Sequence, residues 1–309
     1  MEWKRAIEGY KAYLQLEKGL STNSVEAYLR DADKLRQFIG SDDTQPGAFN
    51  KIELTHLEQF VRFLNELGVS VRTQARVISG IKSFFSYLML EEWIVNDPSE
   101  LLEGPKLTKY LPDVLSIEEV ERILEAVDLS HPQGHRNRAM LETLYACGLR
   151  VSELIKLRMS ALYFDIGFIK VHGKNNKERL VPIGQSAMSF INLYLTHYRN
   201  HQSKIKKGHE DFVFLNRNGA HLSRVMVFMV IKDTVAKAGI DKQVSPHTFR
   251  HSFATHMVER GADLRAVQEM LGHESITTTE IYTHLDNSFL RDTIEHFHPR
   301  GKFRKISDS

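Results

Sequence analysis

A chain of 309 residues is long enough for two domains, each with its own hydrophobic core. An apolar fraction of 42% with 26% charged residues is that of an ordinary globular protein. No run approaches the length of a membrane span, and Met1-Glu2-Trp3-Lys4-Arg5 opens no apolar signal segment, so no membrane insertion is expected. The formal net charge of +2 is too near neutral to point to nucleic acid. A single cysteine, Cys147, excludes an internal disulfide framework and fits a reducing, cytoplasmic setting; its apolar helical surroundings read as core.

Residues 1 to about 105 read as helices only. Trp3, Ile7, Tyr10 and Leu14 recur at helical spacing until Gly19 interrupts them. Asn23 with Glu26 resembles a capping box ahead of Val25, Tyr28, Leu35 and Phe38. A loop over 42–50 follows, then a second box at Thr55 and Glu58 with a stripe of Leu57, Phe60, Val61, Leu64 and Leu67. A helix over about 71–91 buries Val77, Ile78, Ile81, Phe84, Phe85 and Leu88. Its polar positions include Arg72, Arg76 and Lys82, and no acid stands between residues 67 and 90. That basic face reads either as a solvated surface or as a set of phosphate contacts. Asn96-Asp97-Pro98, Gly104-Pro105 and Leu111-Pro112 break any continuous helix, so 96–113 reads as a linker between domains at 1–95 and 114–309.

The second domain opens on a capping box, Ser116-x-x-Glu119, before Val120, Ile123, Leu124 and Val127. A helix over about 136–147 stops at Gly148, and Leu149-Arg150-Val151-Ser152-Glu153-Leu154 follows. Arg150 and Glu153 read either as a surface pair or, given their apolar flanks, as a positioned arginine with its acid. Residues 168–172 and 178–183 read as two strands around a turn that holds Lys174, Asn175 and Lys177. Residues 212–215 read as a short strand, and 223–238 as a helix.

The chemistry gathers between Ser245 and His284. Ser245-Pro246 starts a helix that carries His247 and Arg250 on one side. Gly261 ends it, and Asp263 caps a second helix that runs to Gly272, with His273 beyond the stop. Thr277 to Thr279 open a third helix with Tyr282. An arginine fork matches two phosphate oxygens, a histidine can donate to phosphate or move a proton, and a tyrosine can act as a covalent nucleophile. Together they point to phosphoryl transfer to a tyrosine. A zinc pair at His247 and His251 lacks the glutamate of the usual motif and has Arg250 beside it, so no metal is expected, and His251 and His256 read as structural.

His247-x-x-Arg250, Leu271-Gly272-His273 and Tyr282, in this order and spacing, resemble the tyrosine recombinase (phage-integrase-like) family, and most nearly its bacterial Xer-type members. The resemblance implies a mainly α protein with a small antiparallel sheet in its C-terminal domain. It also implies a two-domain, C-shaped DNA clamp of a helical core-binding domain and a catalytic domain. It makes Arg150, Lys174, His247, Arg250, His273 and Tyr282 the catalytic set, with Glu153 supporting. Tyr282 would form a 3′-phosphotyrosyl link and release a 5′-hydroxyl, without metal, ATP or other cofactor. Asn175 departs from the glycine frequent in the family, which leaves Lys174 and Lys177 both open for the lysine's role. The implied partners are double-stranded DNA, three further protomers on two duplexes, a second Xer recombinase and a septal DNA translocase of the FtsK type. A tail over about 288–309, with Phe289, Leu290, Ile294 and Phe297, is expected either to fold back on its own domain or to dock on a neighbouring protomer. The implied task is resolution of chromosome dimers at a dif-like site. A mobile-element integrase or invertase, a monomeric type IB topoisomerase and a non-catalytic DNA-binding relative are the alternatives.

Overall fold

A computed structural model describes residues 2–40, 48–105, 113–173, 178–272 and 287–301 and divides the chain into two units, Met1–Tyr110 and Leu111–Ser309. The first unit contains four α-helices among its described residues: α1 (Glu2–Ala12), α2 (Thr22–Ile39), α3 (Leu54–Glu66) and α4 (Val71–Leu90). Their apolar stripes meet in a core around Tyr10, Leu35, Phe60, Phe84 and Phe85. Two helix starts differ from expectation. Ser21, in extended conformation, caps α2 by accepting from the Ser24 amide, which places Asn23 inside the helix. At α3 the cap is Glu53, whose own amide donates to His56 Nδ1, so Thr55 is already helical.

Helices α2 and α4 cross where Gly80 leaves room for a buried carboxylate: a Cβ there would stand 2.7 Å from Asp31 Oδ2. Asp31 is 1% exposed and accepts two hydrogen bonds from Arg76, at 2.5 and 2.7 Å. The pair fixes the crossing, since a buried carboxylate needs a charged donor to be tolerated.

The second unit is built around α6 (Pro132–Cys147). Every residue of α6 from Ala139 to Cys147 is buried, as expected of a helix covered on all sides. Around it lie α5 (Ile117–Glu125), α8 (Gln185–His197), α9 (Arg224–Lys237) and α10 (Pro246–Glu259). The short helices α7 (Val151–Ile155) and α11 (Leu264–Leu271) and the C-terminal α12 (Asn287–Phe297) complete the shell. Ser116 and Glu119 form the expected capping box of α5. An antiparallel sheet of order β1-β2-β3 joins Leu162–Tyr163, Phe168–His172 and Glu178–Pro182, with Val171 opposite Arg179. The expected strand at 212–215 is reduced to isolated bridges, Arg158 with Phe212 and Leu215 with His221; Phe212, Val213, Phe214 and Leu215 are buried without a continuous partner strand.

Cys147 is fully buried, and burial pushes its thiol well up, in keeping with a core role. His256 is buried and shares a 2.8 Å hydrogen bond with the Tyr145 hydroxyl, which ties α10 to α6. Helix α12 packs on its own unit through Leu290 and Ile294. Arg300 then donates to the buried Glu142 at 2.7 and 2.9 Å and to Ser186 at 2.9 Å. Through Gly301 the C-terminal segment is therefore folded back on its own unit; the remainder of the expected docking tail lies outside the described residues. No helix among the described residues is long and apolar enough to cross a membrane.

Candidate active site

Four pieces of the second unit meet in one cluster: residues 148–153, Arg179 of β3, Arg250 of α10 and the end of α11. Helix α6 ends on Gly148 in the left-handed conformation (φ 56°). There a Cβ would lie 2.5 Å from Phe253 and 2.9 Å from Leu271. The turn lets the chain reverse at once into Arg150 and α7. Glu153, the third residue of α7, folds back to accept from the Arg150 amide at 2.8 Å and from its Nη1 at 2.9 Å. This is a helix-start motif in which the acid serves the cap and the side chain of the same residue. Alanine at position 148 is expected to destabilise the second unit by about 2–4 kcal/mol, combining a left-handed penalty with overpacking. The midpoint of urea unfolding reads this out.

Glu153 is 2% exposed and also accepts from Arg179 of β3, Nη1 to Oε1 at 2.7 Å and Nη2 to Oε2 at 3.1 Å. Burial by itself would raise its carboxyl, but the Arg179 hydrogen bonds and charge, with those of Arg150, hold it below the ordinary glutamate range. It therefore stays an anion at neutral pH.

The second convergence is the end of α11. Asp263 caps its start, accepting from the Arg265 and Ala266 amides at 2.9 and 3.0 Å, as the sequence predicts. Its last carbonyls have no intrahelical donors and carry the negative end of the helix dipole. Three guanidinium groups serve three consecutive ones. Arg179 Nε donates to Met270 O at 3.0 Å, Arg250 Nη2 to Leu271 O at 2.7 Å and Arg150 Nη2 to Gly272 O at 2.9 Å. Arg250 Nη1 donates in addition to Gly148 O at 2.8 Å, which joins the end of α6 to the end of α11.

Arg250 reaches this point because Ser245 and Pro246 start α10 where expected, with the Ser245 hydroxyl accepting from the Thr248 amide. Three residues earlier on the same helix, His247 is exposed. Burial, followed by the nearby Arg150 charge, lowers Arg250 to about 10, so it remains charged at neutral pH. The net charge of Arg150, Arg179, Arg250 and Glu153 is +2, concentrated at one end of a helix. Such a cluster suits a phosphodiester anion with charge on two non-bridging oxygens.

Of the residues singled out in the sequence, Arg150, Glu153 and Arg250 are thus brought together, and His247 stands on the same helix as Arg250. Lys174, His273 and Tyr282 lie outside the described residues. His273 directly follows the Gly272 carbonyl that Arg150 holds. Arg179 was not singled out. The available signal was the alternation of its strand: Arg179 shares a side with buried Val181, and an arginine on the inner side of a strand calls for a buried partner.

In the first unit, Arg72 is exposed on α4, whereas Arg76 holds Asp31 and Lys82 Nζ donates to the Glu100 carbonyl at 3.2 Å.

Residues 113–288 match the phage integrase family, and residues 7–92 match the phage integrase N-terminal SAM-like domain. The tyrosine recombinase XerD of Staphylococcus saprophyticus subsp. saprophyticus is 44% identical over 295 residues, which cover 96% of this chain and 99% of that relative. The tyrosine recombinase XerD of Chlorobaculum tepidum is 43% identical over 302 residues, covering 97% and 98%. Among solved structures, the XerH site-specific recombinase bound to a palindromic difH substrate has a TM-score of 0.70 at 25% identity, covering 91% of this chain and 83% of that one. A lambda integrase dimer bound to a core site has a TM-score of 0.65 at 17% identity, covering 90% and 98%, a likeness of fold alone. With a family match over more than half its length and such relatives over nearly all of it, the chain belongs to the phage integrase family, as a site-specific tyrosine recombinase of the Xer type.

Proposed function

We propose that this recombinase cuts and rejoins double-stranded DNA through a covalent 3′-phosphotyrosyl link to Tyr282, and that it resolves chromosome dimers at a dif-like site. The observation that carries this reading is the gathering of Arg150 and Arg250 at the end of α11, immediately before the segment that contains His273 and Tyr282. The phenolic oxygen of Tyr282 attacks phosphorus, and the bond to the 5′-oxygen breaks. Arg150 and Arg250 hold the non-bridging oxygens, where charge grows in the transition state. Each guanidinium has five N–H groups and uses two on the protein contacts above, so donors remain for phosphate. His273 supplies a further donor. Lys174 protonates the leaving 5′-oxygen, with Lys177 the alternative. His247 helps to accept the proton of a phenol whose ordinary pKa is about 10. Rejoining is attack on the same phosphorus by a different 5′-hydroxyl; the phosphotyrosyl bond conserves the energy of the linkage, so ATP is not needed.

Arg72, Arg76 and Lys82 are proposed as phosphate contacts of the N-terminal unit, with Arg72 foremost, because Asp31 already occupies Arg76. Solved relatives include a lambda integrase tetramer on a Holliday junction, and four protomers on two duplexes is the assembly proposed for this chain. Contacts between protomers would involve the residues after Gly301. A second recombinase and a septal translocase are the further partners proposed. The test is a nicked duplex bearing a dif-like site, which traps cleavage as a product that denaturation does not separate. A band of protein joined to the 3′ end is expected, and mapping such adducts across genomic DNA identifies the site. Absence of any adduct from properly bound complexes overturns the reading; adducts confined to the ends of a mobile element overturn its chromosomal part.

A further inference from the structure

The mechanism above leaves one guanidinium of the cluster without a task. We propose that Arg179 is a positioning residue for strand transfer: by holding Glu153 and the Met270 carbonyl together, it aims Arg150 at the phosphate and fixes the direction in which the chain leaves α11. The inference rests on the recombinase reading.

An ionised carboxylate has about four acceptor positions, and Glu153 fills them with two bonds from Arg150 and two from Arg179. Without Arg179, half of those positions lose their donors in a site from which water is largely excluded. The nearest remaining donors belong to Arg150, whose Nη2 now serves Gly272 O. Turning that fork inward would satisfy Glu153 at the cost of the Gly272 contact and of the direction Arg150 presents to an incoming anion. Arg179 thus sets the orientation of Arg150 through the acid they share.

The third bond of Arg179 gives it mechanical reach. Its Nε holds Met270 O, and its guanidinium lies so close to Gly272 that a Cβ there would stand 3.1–3.2 Å from Nε, Cδ and Cζ. Arg179, the second residue of β3, therefore locks that strand onto the last turn of α11. The hairpin, α7 and α11 are registered against one another by a single side chain. All three of its nitrogens are bonded to the protein, whereas Arg150 and Arg250 each commit only two, so Arg179 is tied into the scaffold where the other two keep donors for phosphate.

The experiment separates rate from affinity. Adduct formation on a nicked duplex is followed under single-turnover conditions, and Kd for the same duplex is measured in parallel. Arg179→Met is expected to slow adduct formation about 100-fold with Kd changed by less than about threefold. Arg179→Lys, which keeps the charge without the fork, should fall between it and the wild type. The double variant Arg179→Met/Glu153→Gln leaves no uncompensated carboxylate, so it tests the idea even if Arg179→Met alone does not fold. Its rate should equal that of Glu153→Gln to within about threefold, because residues acting through one another are not additive. An unchanged rate, a Kd that rises in step with the rate loss, or losses that multiply would each overturn the proposal. A wild-type chain that forms no adduct overturns the recombinase reading and this inference with it; a wild-type adduct beside any of those results overturns the inference alone.

Discussion

Replacing Tyr282 by Phe is expected to abolish covalent protein–DNA adducts while leaving affinity for the site unchanged. The substitution removes one oxygen and keeps the ring, so the packing and the DNA contacts of the chain stay close to those of the wild type. Deleting a nucleophile removes the covalent pathway outright, and adduct formation should fall by about 10⁴-fold or more, below detection on a denaturing gel. The cationic cluster at the end of α11 does not depend on the phenol, because its bonds run among Arg150, Glu153, Arg179, Arg250 and backbone carbonyls. Binding and cleavage are therefore separable in this variant. A surviving adduct would assign the attack to another side chain.

Arg250→Lys is expected to give the second largest loss, about 10²- to 10³-fold in the rate of adduct formation, the scale seen when a preorganised donor to a developing oxyanion is removed. The charge remains, so a general electrostatic role would predict little change. The fork does not: an ammonium on a flexible stem cannot bridge Gly148 O and Leu271 O and still present two parallel donors to phosphate. Arg250→Ala is a poorer test, because it also strips two carbonyls of their donors and lowers stability by about 1–3 kcal/mol for each acceptor left unsatisfied in the interior. Measuring the melting temperature beside the single-turnover rate separates the two effects. A lysine variant that cleaves at the wild-type rate would remove Arg250 from the phosphate clamp.

Much of the second unit is legible in the amino-acid sequence. Local rules set the starts of α5, α10 and α11, since Ser116, Ser245 and Asp263 cap helices through atoms within three residues. The same rules misplaced the starts of α2 and α3 by two residues. Several polar residues compete there, and only the extended backbone of Ser21 and Glu53 decides between them. The pairing of β2 with β3 followed from alternation and turn chemistry. The segment 212–215 failed the same test, because burial alone does not supply a partner strand.

By itself the amino-acid order determined the helical character of the first unit, the hairpin of the second, and the ordered set of Arg150, His247, Arg250, Leu271-Gly272-His273 and Tyr282 that marks the family. These are matters of local backbone preference and of residue type at a given spacing, and both are written along the chain. Tertiary structure alone decided that Arg76 belongs to Asp31, 45 residues away, and that three arginines share the end of α11. It likewise decided that Glu153 joins two of them and that the segment through Arg300 closes on Glu142. A buried charge must find its counter-charge or a set of unpaired carbonyls wherever the fold brings one, and the distance along the chain carries no information about which it will be.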